Sequence, residues 1–406
     1  MHPGIPAMKN RTLRPLSALI LAGFSATASA AAFQLWEQNA SGLGNAYAGS
    51  AAVADNASTN FFNPAGLTQL PGTQISLGVS AVGPSYRFNN HGSAGVNAGG
   101  PNGGDAGGWA GVPNAYFSQQ LSDRLYLGFG ISAPFGLTTE YTANNWIGAN
   151  LAVKSEIRTI NYNPSLAYRV NDKVSLGFGL NYQTIDAEMT SALAGGYRVK
   201  GDDAALGWNV GALFTLSPAM RLGVSYRSAV DYRLEGSRTL AGVSRSATAD
   251  IKLPDTFILS VWQQVSDRWE AMGDLSYTRW NTLDRLLVNY GGAAPDIEHF
   301  GYKNSWRFAW GAAYRYSDDT KLKFGIAWDR TPVTDAVRSP RVPDNDRLWL
   351  SVGGQWKLGQ GGRLDVGYSY LHVKDPTLSQ NRNGTSLSGR YDASAHILGA
   401  QYSLGF

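Results

Sequence analysis

From Ser305 to Tyr316 the even positions read Trp306, Phe308, Trp310, Ala312, Tyr314 and Tyr316, and the odd ones Ser305, Arg307, Ala309, Gly311, Ala313 and Arg315. Successive strand residues point to opposite faces, so this stretch has one apolar, aromatic face and one small or charged face. The same split recurs in Leu322, Phe324, Ile326 and Trp328 against Lys321, Lys323, Gly325 and Asp329. It recurs again in Leu364, Val366, Tyr368 and Tyr370 against Arg363, Asp365, Gly367 and Ser369.

Alternation alone also suits a soluble sandwich, so the connections decide. Fourteen strands are predicted, near residues 73–88, 111–121, 125–141, 155–170, 174–186, 204–216, 220–235, 249–265, 269–289, 300–316, 320–330, 346–357, 363–373 and 390–406. Every second connection is a tight polar turn, such as Ser122-Asp123-Arg124, Asn171-Asp172-Lys173 and Ser266-Asp267-Arg268. The others are expected to be long, beginning with the glycine- and asparagine-rich run from Asn89 to Gly108. An even strand number with short turns at one end and long loops at the other describes an all-β, 14-stranded antiparallel transmembrane β-barrel of a bacterial outer membrane. Outward aromatics such as Trp306, Tyr314, Tyr316, Trp328, Tyr368 and Tyr402 then supply the girdles at the two interfaces, with outer-membrane lipids around them. The last strand ends on Phe406, which resembles the signal read by barrel assembly machinery.

Composition agrees. Charged residues make up 16% of the chain, below the roughly 25% usual for soluble domains, while aromatics reach 12%. Outside the first thirty residues no apolar run approaches the roughly 18 residues a membrane helix needs. Residues 1–30 hold three of the 34 basic groups and none of the 30 acids, leaving 31 against 30, a net charge of +1. No nucleic-acid partner is expected from such a balance. With zero cysteines, disulfides, thiolate metal sites and cysteine nucleophiles are ruled out.

Residues 1–30 are predicted to be a signal peptide. Lys9, Arg11 and Arg14 precede an apolar run from Leu16 to Phe24, and Ala28-Ser29-Ala30 has the small-x-small form of a cleavage site. Residues 31–72 follow without a strand period and are rich in glycine, alanine and serine. A fourteen-stranded barrel at 73–406 is too wide for side chains alone to fill, so this stretch is expected to fold back into the lumen as a plug. Within it Asn63 reads as an N-cap and Pro64-Ala65 as a helix start.

Phe33-Gln34-Leu35, Ser41-Gly42-Leu43-Gly44, Ala46-Tyr47 and Asn63-Pro64-Ala65 resemble the hatch of the FadL family of outer-membrane long-chain fatty acid transporters. Gly207-Trp208-Asn209, Ser225-Tyr226-Arg227-Ser228, Leu253-Pro254, Ser276-Tyr277-Thr278-Arg279-Trp280, Val342-Pro343-Asp344 and Trp349-Leu350-Ser351 are similar too. The resemblance implies an N-terminal hatch, passive uptake of hydrophobic compounds with a long-chain fatty acid as the foremost cargo, and exit sideways at a kink in the third strand. That strand contains Ala133-Pro134-Phe135-Gly136, where proline lacks a ladder N–H and glycine packs poorly, marking an interruption.

Two departures bear on the cargo. The positions where fatty-acid members of the family carry a basic carboxylate clamp align with Ser191 and Glu298, and Glu298 is expected to repel an anion. Inward-facing Arg307 or Lys200 is the substitute the sequence offers. The stretches Ala187–Asp203 and Gly236–Ala249 look short for a large outer capture groove, so neutral aromatic hydrocarbons stand as the alternative cargo. Neither an enzyme nor an adhesive barrel is expected: no Gly-x-Ser-x-Gly elbow or His-Glu-x-x-His metal motif occurs, His372 and His396 face outward, and no cofactor or metal is called for.

Overall fold

The computed structural model describes residues 32–142 and 144–406. The predicted signal peptide, residues 1–30, lies outside the described residues.

Fourteen strands form one closed antiparallel sheet. In chain order they are β1 Thr73–Asn90, β2 Ala110–Gln120, β3 Leu125–Ser132 continued by Gly136–Glu140, β4 Lys154–Arg169, β5 Val174–Ser191, β6 Tyr197–Ser217 and β7 Met220–Arg227 continued by Val230–Leu240. Then come β8 Val243–Leu253 continued by Thr256–Gln264, β9 Trp269–Thr278, β10 Ser305–Arg315, β11 Thr320–Asp329, β12 Arg347–Leu358, β13 Gly362–Val373 and β14 Thr385–Gly405. Each pairs with its sequence neighbours, and β1 pairs with β14, Gln74 opposite Gly405. Closure leaves no free sheet edge in the bilayer.

The short turns at one end are those the sequence predicts. At the other end the expectation of uniformly long loops is corrected. Residues 192–196 alone join β5 to β6, and Ala241-Gly242 alone joins β7 to β8. Both Ala241 (φ 50°) and Gly242 (φ 80°) are left-handed, as a two-residue hairpin turn of the primed type requires. Most of Ala187–Asp203 and Gly236–Ala249 is therefore strand, not loop. The outward residues of β6 change from apolar Leu206, Trp208, Val210, Phe214 and Leu216 to polar Arg198, Lys200 and Asp202, so this hairpin rises past the apolar band.

Aromatic pairs mark both ends of the band, Tyr277 with Trp306 at a ring distance of 4.5 Å and Trp269 with Tyr314 at 4.8 Å. Between those levels Phe324 and Ile326 are exposed on the outside, while Lys323 and Ala327 are buried. Phe324→Arg is accordingly expected to lower barrel stability in lipid bilayers by about 2–4 kcal/mol relative to Phe324→Leu. Equal denaturation midpoints for the two variants would remove Phe324 from the lipid face.

Residues 32–72 lie inside the barrel and touch its wall on nearly every side. Asn45 Nδ2 donates to Ala312 O on β10 at 2.8 Å, and Lys323 Nζ on β11 donates to Ser41 O at 2.8 Å. The Ala51 amide donates to Ser260 Oγ on β8, Asn63 Nδ2 to Ala212 O on β6, and Thr68 Oγ1 to Ser175 Oγ on β5. Inward glycines let the backbones meet. A Cβ on Gly325 would lie 2.2 Å from the Asn45 carbonyl carbon, and one on Gly223 would lie 2.0 Å from Ala51 O. The predicted helix start holds in a tighter form: Pro64–Gln69 is a 3-10 helix, and Asn63 caps it by accepting the Ala65 N–H.

Three strands are interrupted. The break in β3 falls at Ala133–Phe135, as Pro134 and Gly136 predict; those in β7 at Ser228–Ala229 and in β8 at Pro254–Asp255 were not expected.

Candidate functional site

Pro134 has no N–H to donate, and the β2–β3 ladder stops short of it, at Ala115 opposite Ile131. Above that pair, Ala110–Asn114 of β2 have no ladder partner on β3, whereas Gly136–Glu140 of β3 pair only with β4. The vacated bonds are taken up from inside the barrel. Leu35 N donates to Pro134 O at 2.8 Å, Gly136 N donates to Phe33 O at 2.9 Å, and Gln38 Nε2 donates to Ala133 O at 2.8 Å. Residues 33–35 thus act as a short added strand along the kink. Phe135 is tied the other way, its N–H donating to Thr159 Oγ1 on β4 at 2.9 Å.

Phe33 joins the kink to a cavity. Its ring meets Trp280 edge-on at 4.8 Å and Phe135 at 6.2 Å, and it forms part of the lining of an apolar cavity. The remaining lining is mainly Leu137, Ile157, Met189, Val199, Leu234, Ala249, Ile251, Leu286, Val288 and Phe300. Such a space suits an apolar ligand and offers little to a polar one.

A buried arginine is also part of its lining. Arg341, from the β11–β12 loop, borders both this cavity and a polar vestibule that contains Ser191, Tyr197, Arg238, Asp296, Glu298 and Arg382. Its Nη1 donates to Ser155 Oγ at 2.9 Å and Lys154 O at 3.2 Å, and its Nε lies 3.8 Å from Glu298 Oε1. Burial pushes the Arg341 guanidinium below its ordinary value, and Glu298 opposes that shift. Arg382 pairs with Glu298 at 2.6 Å, and Arg238 with Asp296 at 2.9 Å.

The structure therefore brings Ser191 and Glu298 together but leaves Arg307 elsewhere. Arg307 does point inward, yet its guanidinium lies over the rings of Trp36 and Trp349 and donates to Ala46 O at 2.8 Å, so it holds the lumenal segment. Glu298, expected to repel an anion, lies between two arginines, Arg341 and Arg382. Gly42, Gly44 and Asn63-Pro64-Ala65 sit away from the cavity, against the wall and the rest of the lumenal segment. The residue that sequence reasoning missed is Arg341. It directly precedes the Val342-Pro343-Asp344 motif, and that position was its only signal.

Residues 21–406 match the family described as "Outer membrane protein transport protein (OMPP1/FadL/TodX)". The chain belongs to this family. As a FadL-family member it is an outer-membrane transport protein and not an enzyme. It is 28% identical over 450 residues to the long-chain fatty acid transport protein of Escherichia coli, spanning 98% of this chain and 100% of that one. Among solved structures, a Pseudomonas aeruginosa FadL homologue superposes with a TM-score of 0.87 at 24% identity, over 93% of this chain and 100% of the other. The Ralstonia pickettii toluene transporter TbuX shares the fold at a TM-score of 0.69 and 17% identity, over 92% and 100% of the two chains.

Proposed function

We propose that this protein carries long-chain fatty acids passively across the outer membrane. In this reading the acid reaches the vestibule from outside, its alkyl chain fills the apolar cavity, and its carboxylate stays with Arg341. It leaves sideways between β2 and β3 once residues 33–35 release the kink. The observation that carries the reading is one apolar cavity lined both by a buried arginine, Arg341, and by Phe33, which lies beside the unpaired seam. Burial of each CH₂ favours binding by about 0.8 kcal/mol, so a long chain supplies the affinity without an energy source. The relative named for fatty acid transport, alike over its full length, supports the same cargo.

One feature favours a second reading, uptake of neutral aromatic compounds: all three vestibule arginines already have acidic neighbours. The two readings separate on Arg341→Met, which removes the charge and keeps most of the volume. A charged hydrogen bond is worth about 1.5–3 kcal/mol, so oleate should bind roughly 10- to 150-fold more weakly while toluene is unaffected. Calorimetric titration of the detergent-solubilised protein reads both. Equal loss for oleate and toluene, or none for oleate, would exclude the carboxylate role.

A further inference from the structure

The β6–β7 seam is open over a stretch that faces the same apolar cavity. Its lower ladder ends at Asn209 opposite Arg227, and its upper ladder begins only at Asp202 opposite Glu235. Among the described residues no ladder pairs join Asp203–Trp208 to Ser228–Leu234. The cause lies in the two breaks that the sequence reading did not foresee. In β7 the inward positions are odd up to Arg227 and even from Val230 onward, the phase change of a bulge. β8 breaks at the same level, Arg227 facing Thr256 below and Val230 facing Leu253 above, so the upper β7–β8 hairpin departs from the wall as one unit. On its β8 side the buried Trp280 and Leu283 fill the space. On its β6 side the seam is crossed at two levels. Asp203 Oδ2 accepts the Arg233 N–H at 2.7 Å, and Ser228 bonds Trp208 twice, its N–H donating to Trp208 O and its Oγ accepting the Trp208 N–H, both at 2.9 Å.

The slot between those levels has two different rims. Inside, Val230 and Tyr232 are buried in the apolar cluster, Ala205 packs on it, and Val199 and Leu234 line the cavity. Outside, the lower edge carries Leu206, 72% exposed, and Trp208, 42% exposed, at the outer limit of the apolar band of β6. The upper edge is charged and mainly acidic, with Asp202, Asp231 and Glu235 against Arg233, and with Lys252 already paired to Asp231 at 3.0 Å. An acidic edge disfavours a carboxylate and leaves an uncharged solute free to cross.

We propose that this seam is a second portal, which admits uncharged hydrophobic solutes from the outer edge of the bilayer directly into the apolar cavity. It bypasses the vestibule and its arginines. A bilayer-soluble compound has already partitioned into lipid, and the slot offers it an apolar lower edge at Leu206 and Trp208 that leads to Ala205, Val230 and Tyr232 inside. Fatty acid anions are left to the vestibule.

The chain has no cysteine, so the seam can be pinned selectively. Continuing the upper register places Leu206 opposite Asp231, and the double variant Leu206→Cys/Asp231→Cys is bridged with a short reducible bis-thiol reagent. Val210→Cys/Tyr226→Cys, a pair within the continuous lower ladder, is the control. Proteoliposome uptake of labelled toluene and oleate is measured before bridging, after it, and after reduction. Several-fold slower toluene uptake in the bridged seam alone, reversed by reductant, with oleate uptake unchanged, is the expected result. Unchanged toluene uptake in protein shown by mass spectrometry to be bridged overturns the portal, and so does a wild type that takes up no toluene. Should the pair resist bridging, Ala205→Trp fills the slot and is judged by the same two uptakes. Loss of oleate uptake alone would count against the portal while leaving the Arg341 reading in place.

Discussion

A variant lacking residues 33–70 but otherwise folded is expected to conduct ions through an open pore in planar bilayers, whereas the complete protein stays closed. The expectation rests on width and on contacts. A barrel of fourteen strands has a lumen that wall side chains do not fill, and the lumenal segment is bonded to β5, β6, β8, β10 and β11. A subtler variant reaches the same end without deletion. Gly223→Val and Gly325→Val place side-chain carbon where Ala51 O and the Asn45 carbonyl carbon now sit, 2.0 and 2.2 Å from an added Cβ. Neither strand can yield without breaking its ladders, so the segment must move. Large, steady conductance steps from the deletion, and intermittent ones from the glycine variants, are the outcome. A correctly inserted deletion variant as tight as the parent would show that the outer loops, not this segment, close the lumen.

What the sequence makes legible follows from the range of the interactions involved. Strand number and lipid face come from side-chain alternation, which is local; Trp306, Phe324 and Tyr402 could be assigned outward from their neighbours alone. The β3 kink was readable because proline and glycine act through their own backbones. Pro254 gives the same local cue for the break in β8, since it too lacks a ladder N–H. The missing part of the site is long-range. Glu298 meets Arg382 from another loop and Arg341 from a third, and no local pattern reports that meeting. Arg307 shows the converse: alternation gave its direction correctly, but the rings of Trp36 and Trp349 that receive it come from the lumenal segment and from β12. Alternation does not mark where the apolar band ends, so the polar hairpin segments that rise above it, within Ala187–Asp203 and Gly236–Ala249, are not distinguished from loops by their sequence.

Closing the kink should abolish transport while sparing binding. In Pro134→Val/Gly136→Val, position 134 regains an N–H, and both positions receive β-branched side chains that favour a continuous extended strand. On its β2 side, Ala110–Asn114 then face a strand able to pair with them, where at present their ladder ends at Ala115. Residues 33–35 lose their place as well, because Leu35 N now bonds to Pro134 O and Gly136 N to Phe33 O. The cavity above, bounded by Leu234, Ile251 and Phe300, contains neither substituted residue and loses only the Phe33 part of its lining. Oleate affinity of the solubilised variant should therefore stay near that of the parent, while uptake of both labelled oleate and labelled toluene into cells falls to the level of a strain without the protein. Heat-modifiable migration on gels and correct outer-membrane fractionation establish that the barrel is intact. Uptake that persists with intact folding would mean that cargo leaves through the periplasmic end, and Pro134 would then be a structural bulge whose lost ladder bonds the lumenal segment merely satisfies.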